Sequence, residues 1–375
     1  MRFAIACAAA LAFAGCVTPD TADDLGGNEG PWLPIPLKRA SHFQLWQRGR
    51  DRAALVLGPG GDLDTIGRFL ITDGEAPSRM PWGGGYAVLP ATDPRAVILS
   101  TTSVPFVDAL NAVGNILACA WSERSRSPAF HEALTAGRLV AVTQSTEARR
   151  EQLIALSPDL VLDHPFGHTL PPKDLAGTWV PVCEYLEEHP LARTEWIRFF
   201  GVLFGQEKRA DSAYSVIERR YERMVATVVP STERPKVFFG SAWQGAWSVP
   251  SGNSYMARLI DDAGADYLYA EHSSMGNLDL HVETVMADAH RADHWGMIVE
   301  VPDLRSLRQL PGLEERLSRA PVMAQGHLFV ANSAEADLFG SALLEPDVAL
   351  ADLIAIFHPE LLPEHAPVYY RPLFQ

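Results

Sequence analysis

The middle of the chain constrains the fold most. Residues 191–228 carry an almost continuous helical pattern, with Gly201 and Gly205 placed to divide it. From residue 206, Ala210, Ala213, Tyr214, Ile217, Tyr221, Met224 and Val225 recur near the helical period. Charges at Arg209, Glu218, Arg219, Glu222 and Arg223 occupy much of the remaining surface, and Pro230 ends the run. A helix of about 23 residues spans roughly 35 Å, enough to run along two lobes.

The flanks of this helix tell the same story. On its N-terminal side, apolar strand runs (Ala96-Val97-Ile98-Leu99, Ile116-Leu117-Ala118-Cys119, Leu160-Val161-Leu162, Trp179-Val180-Pro181-Val182) alternate with helical stretches at 104–113 and 149–156. On its C-terminal side the rhythm restarts. Strands at 235–239, 296–299 and 327–330 alternate with helices at 254–263, 282–292 and 313–319. Such alternation implies mostly parallel sheets covered by helices. The expected fold is therefore α/β: two α/β lobes with mostly parallel sheets joined by a long rigid helix. The first lobe spans 36–190, the linking helices 191–230 and the second lobe 231–375. Within the first lobe, residues 41–100 read as short strands and turns, and the Gly-rich 82–85 reads as a turn because it lacks the Lys of a phosphate loop.

The chain of 375 residues carries a net charge of −15, which argues against a nucleic-acid partner. Its first residues read as an export signal. Arg2 precedes an apolar run at 3–13 that is too short to span a bilayer. The run ends in Phe13-Ala14-Gly15-Cys16, which resembles the lipobox of bacterial lipoproteins. Residues 1–16 are thus expected to be a lipoprotein-type signal ending at Cys16. A lipid there would tether the mature chain to a membrane. Residues 17–35, rich in Asp, Gly and Thr, read as a flexible tether. Cys119 and Cys183 remain as thiols, and the sequence leaves open whether they are bonded.

Several local segments share a resemblance. The terminal run Pro346-Asp347-Val348-Ala349-Leu350-Ala351-Asp352-Leu353-Ile354-Ala355-Ile356-Phe357-His358-Pro359 reads as an amphipathic helix. Together with Tyr369-Tyr370-Arg371-Pro372-Leu373, it resembles the C-terminal segment of periplasmic binding proteins for iron complexes, haem and cobalamin. Ser100-Thr101-Thr102, Glu151-Gln152-Leu153-Ile154-Ala155-Leu156-Ser157-Pro158-Asp159-Leu160-Val161, Glu187-Glu188-His189-Pro190-Leu191 and Trp247-Ser248-Val249-Pro250-Ser251-Gly252-Asn253-Ser254-Tyr255 are similar to further segments of that family.

The resemblance implies the solute receptor of an ABC importer, with its ligand in the cleft between the lobes and no resident cofactor or metal. It places a permease-docking carboxylate on each lobe, at Glu151 and Glu283. Thr102 is an expected ligand contact, as are His164 and Phe166 in the loop after Val161-Leu162 and Trp243, Trp247 and Tyr255 in or beside one Gly/Ser-rich loop, where large rings bury much area at little entropic cost. The implied partners are a metal-chelate ligand, the ABC permease with its ATPase, and a membrane through the lipid anchor. A ferric siderophore is the leading ligand, with cobalamin or haem as the alternative. No G-x-S-x-G or H-E-x-x-H motif occurs, and His290 and His294 fall at variable places of the family pattern. A non-enzymatic role is therefore expected, and a surface-anchored enzyme on the same fold is the different-class alternative.

Overall fold

The computed structural model describes residues 30–61, 64–143, 146–165, 176–228, 233–243, 246–274, 276–304, 322 and 327–373. The expected signal with Cys16, residues 17–29 of the tether and the helix expected at 313–319 lie outside these residues. Among the described residues, no helix is long and apolar enough to cross a membrane.

The chain begins with a sheet of its own. Strands β1 (Leu33–Ile35), β2 (Phe43–Arg48), β3 (Asp51–Leu57), β4 (Thr65–Ile71) and β5 (Ala87–Leu89) lie in sequence order, antiparallel except for the last pair. The end of the expected tether is therefore strand, because residues 33–35 pair with β2. Phe43, Leu45, Ala54, Val56 and Phe69 pack from this sheet into the core of the first lobe.

The first lobe proper follows as β6 (Ala96–Ile98), α1 (Val104–Ala109), β7 (Ile116–Cys119), α2 (Pro128–Thr135), β8 (Val140–Ala141), α3 (Thr146–Leu156), β9 (Leu160–Asp163) and β10 (Thr178–Pro181). Its sheet has the order β10-β9-β6-β7-β8 and every pairing is parallel. Its inner strands β9, β6 and β7 are apolar runs buried on both faces, as parallel sheets require, while the edge strand β8 is exposed. Cys119 and Cys183 are free and buried, and burial pushes the Cys119 thiol up to about 12.

Two helices link the lobes. Helix α4 (Pro190–Leu203) and helix α5 (Glu207–Val225) are separated at Gly205, whose φ of +63° falls in the left-handed region that glycine enters without strain. The linking helix is thus 19 residues rather than 23, and it is preceded by a second helix. Ala210 and Tyr214 of α5 pack in the first core, whereas Ile217 and Tyr221 pack in the second. Helix α5 thereby belongs to both lobes at once.

A strap from the N-terminal sheet is fixed to these helices. Glu195 of α4, 0% exposed, accepts hydrogen bonds from the amides of Lys38, Arg39 and Ala40 at 2.8, 2.7 and 2.9 Å. Buried Glu187 accepts from the amides of Ser41 and His42 and from Trp196 Nε1 at 3.0 Å. Multiple N–H donors are what make a buried carboxylate tolerable.

The second lobe contains β11 (Lys236–Phe239), β12 (Ser241–Trp243), β13 (Ala246–Val249), α6 (Tyr255–Asp262), β14 (Asp266–Tyr267), β15 (Leu278–Leu280), α7 (Val282–Ala289), β16 (His294–Val299), β17 (Leu328–Asn332), α8 (Pro346–Phe357) and β18 (Arg371–Pro372). Its main sheet runs β14-β11-β16-β17-β18, parallel apart from the last strand. Gly296 in β16 is required by close packing, since a Cβ there would lie 2.2 Å from the Phe329 ring. A small antiparallel sheet, β12-β13-β15, lies beside it. Helix α8 closes the lobe. Its fully buried Asp352 accepts from the amides of Val368, Tyr369 and Tyr370 and pairs with His365 at 2.6 Å, fixing the C-terminal segment.

Candidate functional site

In a parallel sheet, loops at the carboxyl ends of the strands are free to build a site. Both lobes place such loops around one cavity of about 730 Å³. The segments after β6 and β7 contribute Thr101, Thr102, Arg124 and Arg126, and the segments after β16 and β17 contribute Glu300, Ser333 and Phe339. A recess of about 340 Å³ continues along the first lobe, sharing Thr101 and Arg124 and reaching Ser100, Trp121, Asp163 and His164.

The first-lobe wall is ordered by short-range bonds. Ser100 caps the turn that follows β6. Its hydroxyl accepts from the Thr102 amide at 3.4 Å and lies 3.1 Å from the Thr102 hydroxyl. Thr102 Oγ1 is in turn 3.4 Å from His164 Nδ1, so the ends of β6 and β9 meet. The His164 ring stacks on Tyr185 at 4.2 Å. Behind it, Glu184 is 0% exposed, and its carboxylate oxygens have no hydrogen-bond partner among the described residues. His164 Nδ1 lies 3.6 Å from that carboxylate and supplies the opposite charge when protonated. An unpaired buried carboxylate would be costly.

Trp121 follows β7 with φ +54°, a left-handed conformation that is uncommon for a large side chain. Its ring is 44% exposed, and the Arg124 guanidinium sits over it at 5.5 Å. Strained backbone carrying an exposed aromatic side chain is a recurrent property of ligand sites. On the second lobe, Asp337 accepts from the amide and hydroxyl of Ser341, both at 2.9 Å, shaping the loop that projects Phe339 at 55% exposure.

The structure brings Thr102 and His164 together in the cleft and separates the other expected contacts. Trp247 is a correction. It lies in strand β13 rather than a loop and is 4% exposed, with its ring 5.4 Å from Trp295 and 6.3 Å from Phe238. The alternation Ala246-Trp247-Ser248-Val249 turns the ring into the core. Tyr255 begins α6 and lies outside the main cavity. Its ring supports the Arg193 guanidinium at 4.4 Å and lines a hollow of about 40 Å³ that shares Leu338 and Phe339 with the cleft. Phe166 lies outside the described residues, as does the side chain of Trp243, whose backbone ends β12 opposite Ala246.

Glu151 on α3 and Glu283 in the first turn of α7 are both exposed, and neither lines the cleft. His290 ends α7 whereas His294 lies in β16, so the pair shares no helix face. The His294 ring stacks on His327, and burial brings its pKa down to about 4. Among the described residues, no group of three or more metal-ligating side chains gathers. Sequence reasoning missed Trp121, Arg124, Arg126 and Phe339. The first three directly follow a recognised strand, and the rule that sites form at strand carboxyl ends would have found them.

Two α/β lobes, helices packed into both cores and a cavity between facing strand ends define a helix-linked binding protein. The chain belongs to the periplasmic binding protein family, whose sequence profile matches residues 97–294, more than half of its length. It is thereby placed among the substrate-binding proteins of ABC importers.

A curated relative, an uncharacterized lipoprotein of Methanocaldococcus jannaschii, is 23% identical over 318 residues, covering 80% of this chain and 74% of that one. Among solved structures, a periplasmic binding protein of Veillonella parvula aligns with a TM-score of 0.57 at 15% identity, covering 72% of this chain and 92% of its own. A periplasmic haem-binding protein of Pseudomonas aeruginosa aligns at 0.51 and 18%, covering 71% and 93%. An ABC-type Fe3+-hydroxamate transport protein of Saccharomonospora viridis aligns at 0.52 and 17%, covering 71% and 94%. These likenesses establish the shared fold.

Proposed function

We propose that this chain is an exported, lipid-anchored receptor. It captures a ferric siderophore or related metal chelate between its lobes and delivers it to an ABC permease. The observation that carries this reading is the interlobe cavity of about 730 Å³ at the facing strand ends. That volume suits a bulky ligand. Thr102, His164, Trp121 and Arg124 are the proposed first-lobe contacts, and Phe339 is proposed from the second lobe. Phe166 and Trp243 stay as proposed contacts on sequence grounds alone.

Two similar structures, one named for haem and one for a ferric hydroxamate, support a metal chelate as the ligand class. The lipoprotein relative supports anchoring at Cys16. Glu151 and Glu283 are the proposed docking carboxylates, one exposed on each lobe and ready for bidentate pairing with permease arginines.

Quenching of tryptophan fluorescence in the purified mature chain tests the reading. The panel comprises a ferric trihydroxamate, a ferric tricatecholate, a corrinoid and haem. Saturable binding that is tightest to a ferric siderophore is expected. Preference for the corrinoid or haem would reassign the ligand, binding of none would defeat the receptor reading, and turnover of a ligand without a permease would favour an enzyme.

A further inference from the structure

One side chain crosses the mouth of the cleft. Arg126 projects from the first-lobe segment between β7 and α2. Its guanidinium donates to three consecutive backbone carbonyls of the second lobe: Ser333 at 3.3 Å, Ala334 at 2.9 Å, and Glu335. Ser333 and Ala334 also line the cavity, so the contact sits on its wall.

Both ends of this contact are held in place. On the first lobe, Ser127 caps α2, donates from its hydroxyl to Asp108 and from its amide to Ser125 Oγ at 3.3 Å. The Ser125 carbonyl meets His131 Nε2 at 2.6 Å. On the second lobe, the side chain of buried Asn332 accepts from the amides of Val301 and Ala334 and donates to the Val301 carbonyl at 2.8 Å. The amides of Glu335 and Ala336 both return to the Asn332 carbonyl, and the Glu335 carboxylate is paired with Arg371. The carbonyl row is thus fixed before Arg126 reaches it. A planar guanidinium spreads five donors over a fixed fork that can span such a row, whereas an ammonium offers three from a single point.

We propose that Arg126 is an interlobe clasp, a positioning residue that holds the lobes together and sets the rate at which ligand leaves. The proposal rests on the receptor reading of the cleft. Helix α5 packs into both cores, and a continuous helix shared in this way should allow only a small opening. The Arg126 contact ties the lobes together outside the two cores that α5 shares, so it opposes such an opening. Because the acceptors are backbone carbonyls, side chains of the receiving loop serve the clasp only by holding that backbone in place.

The test combines a distance with a rate. Spin labels at Ile154→Cys and Val368→Cys, each over half exposed on its own lobe, report lobe separation in the free protein. Cys119 and Cys183 are buried and do not compete for label. Arg126→Ala should broaden and lengthen the distance distribution relative to the parent. Release of whichever chelate binds the parent should become about tenfold faster, the effect of losing charge-assisted hydrogen bonds at a solvated rim. Arg126→Lys, which keeps the charge but not the fork, should fall between.

Unchanged distances and release rates in Arg126→Ala would overturn the proposal. Faster release with an unchanged distance distribution would overturn it too, making Arg126 a direct ligand contact. If no chelate binds the parent, the receptor reading fails, and the distance measurement still decides the clasp.

Discussion

Replacing Trp247 by alanine separates a core ring from a ligand contact. The ring lies in β13, 4% exposed, and is wedged against Trp295 and Phe238. An aromatic side chain of this size buries on the order of 200 Å². At about 25 cal/mol per Å², that corresponds to roughly 5 kcal/mol of transfer free energy. Partial collapse of the site would reduce the loss and the broken ring pairs would add to it, so Trp247→Ala should destabilise by about 4 kcal/mol. Urea unfolding followed by circular dichroism measures this as a lower midpoint with an unchanged slope. Chelate affinity, measured where the variant is still folded, should stay within about twofold of the parent, a difference of roughly 0.4 kcal/mol. The reasoning is refuted if destabilisation stays below about 1 kcal/mol while affinity falls, because a core ring cannot be removed so cheaply.

Two further outcomes are expected. His189 caps α4 by accepting from the Leu191 amide at 3.0 Å, and burial together with Arg39 brings its pKa down from 6.5 to about 4. Unfolded histidine takes up protons first, so the stability tied to neutral His189 is complete above about pH 6.5 and is lost as pH falls toward 4, by at most about 3 kcal/mol. His189→Asn keeps a capping acceptor without the titration and should flatten the decline in urea midpoint between pH 7 and 4.5; an unchanged slope would remove His189 from the cause. For docking, Glu151→Lys combined with Glu283→Lys should abolish uptake in cells while leaving chelate affinity unaltered, since both carboxylates lie outside the cleft, and normal uptake by the double variant would end the docking proposal.

Much of the architecture was legible because it rests on periodic signals. Ala210, Tyr214, Ile217 and Tyr221 mark the buried stripe of α5, and that stripe spans the two cores. The parallel strands were readable as apolar runs, because both of their faces are buried. The small sheet β12-β13-β15 was harder to see. Its strands are three or four residues long, so Trp247 looked like part of a Gly/Ser-rich loop, although its two-residue alternation pointed inward. The strap glutamates were out of reach altogether. Glu195 and the amides it receives are more than 150 residues apart, and nothing local marks the pairing. In the site, Thr102 was recoverable from its place after a strand, whereas Trp121 and Arg124 were passed over at an equivalent place.

Ligand-dependent hydrogen exchange tests the central claim most directly. A chelate that saturates tryptophan quenching is added, and amide protection is compared with that of the free protein. Binding between the lobes predicts added protection at 99–103, 121–127 and 333–341, the segments that wall the cleft. Another hollow, of about 610 Å³, lies between Glu188, Asn253, Arg258 and Glu271 and is the built-in control. Protection confined to that hollow, or absent from the three cleft segments at saturating ligand, would contradict the account.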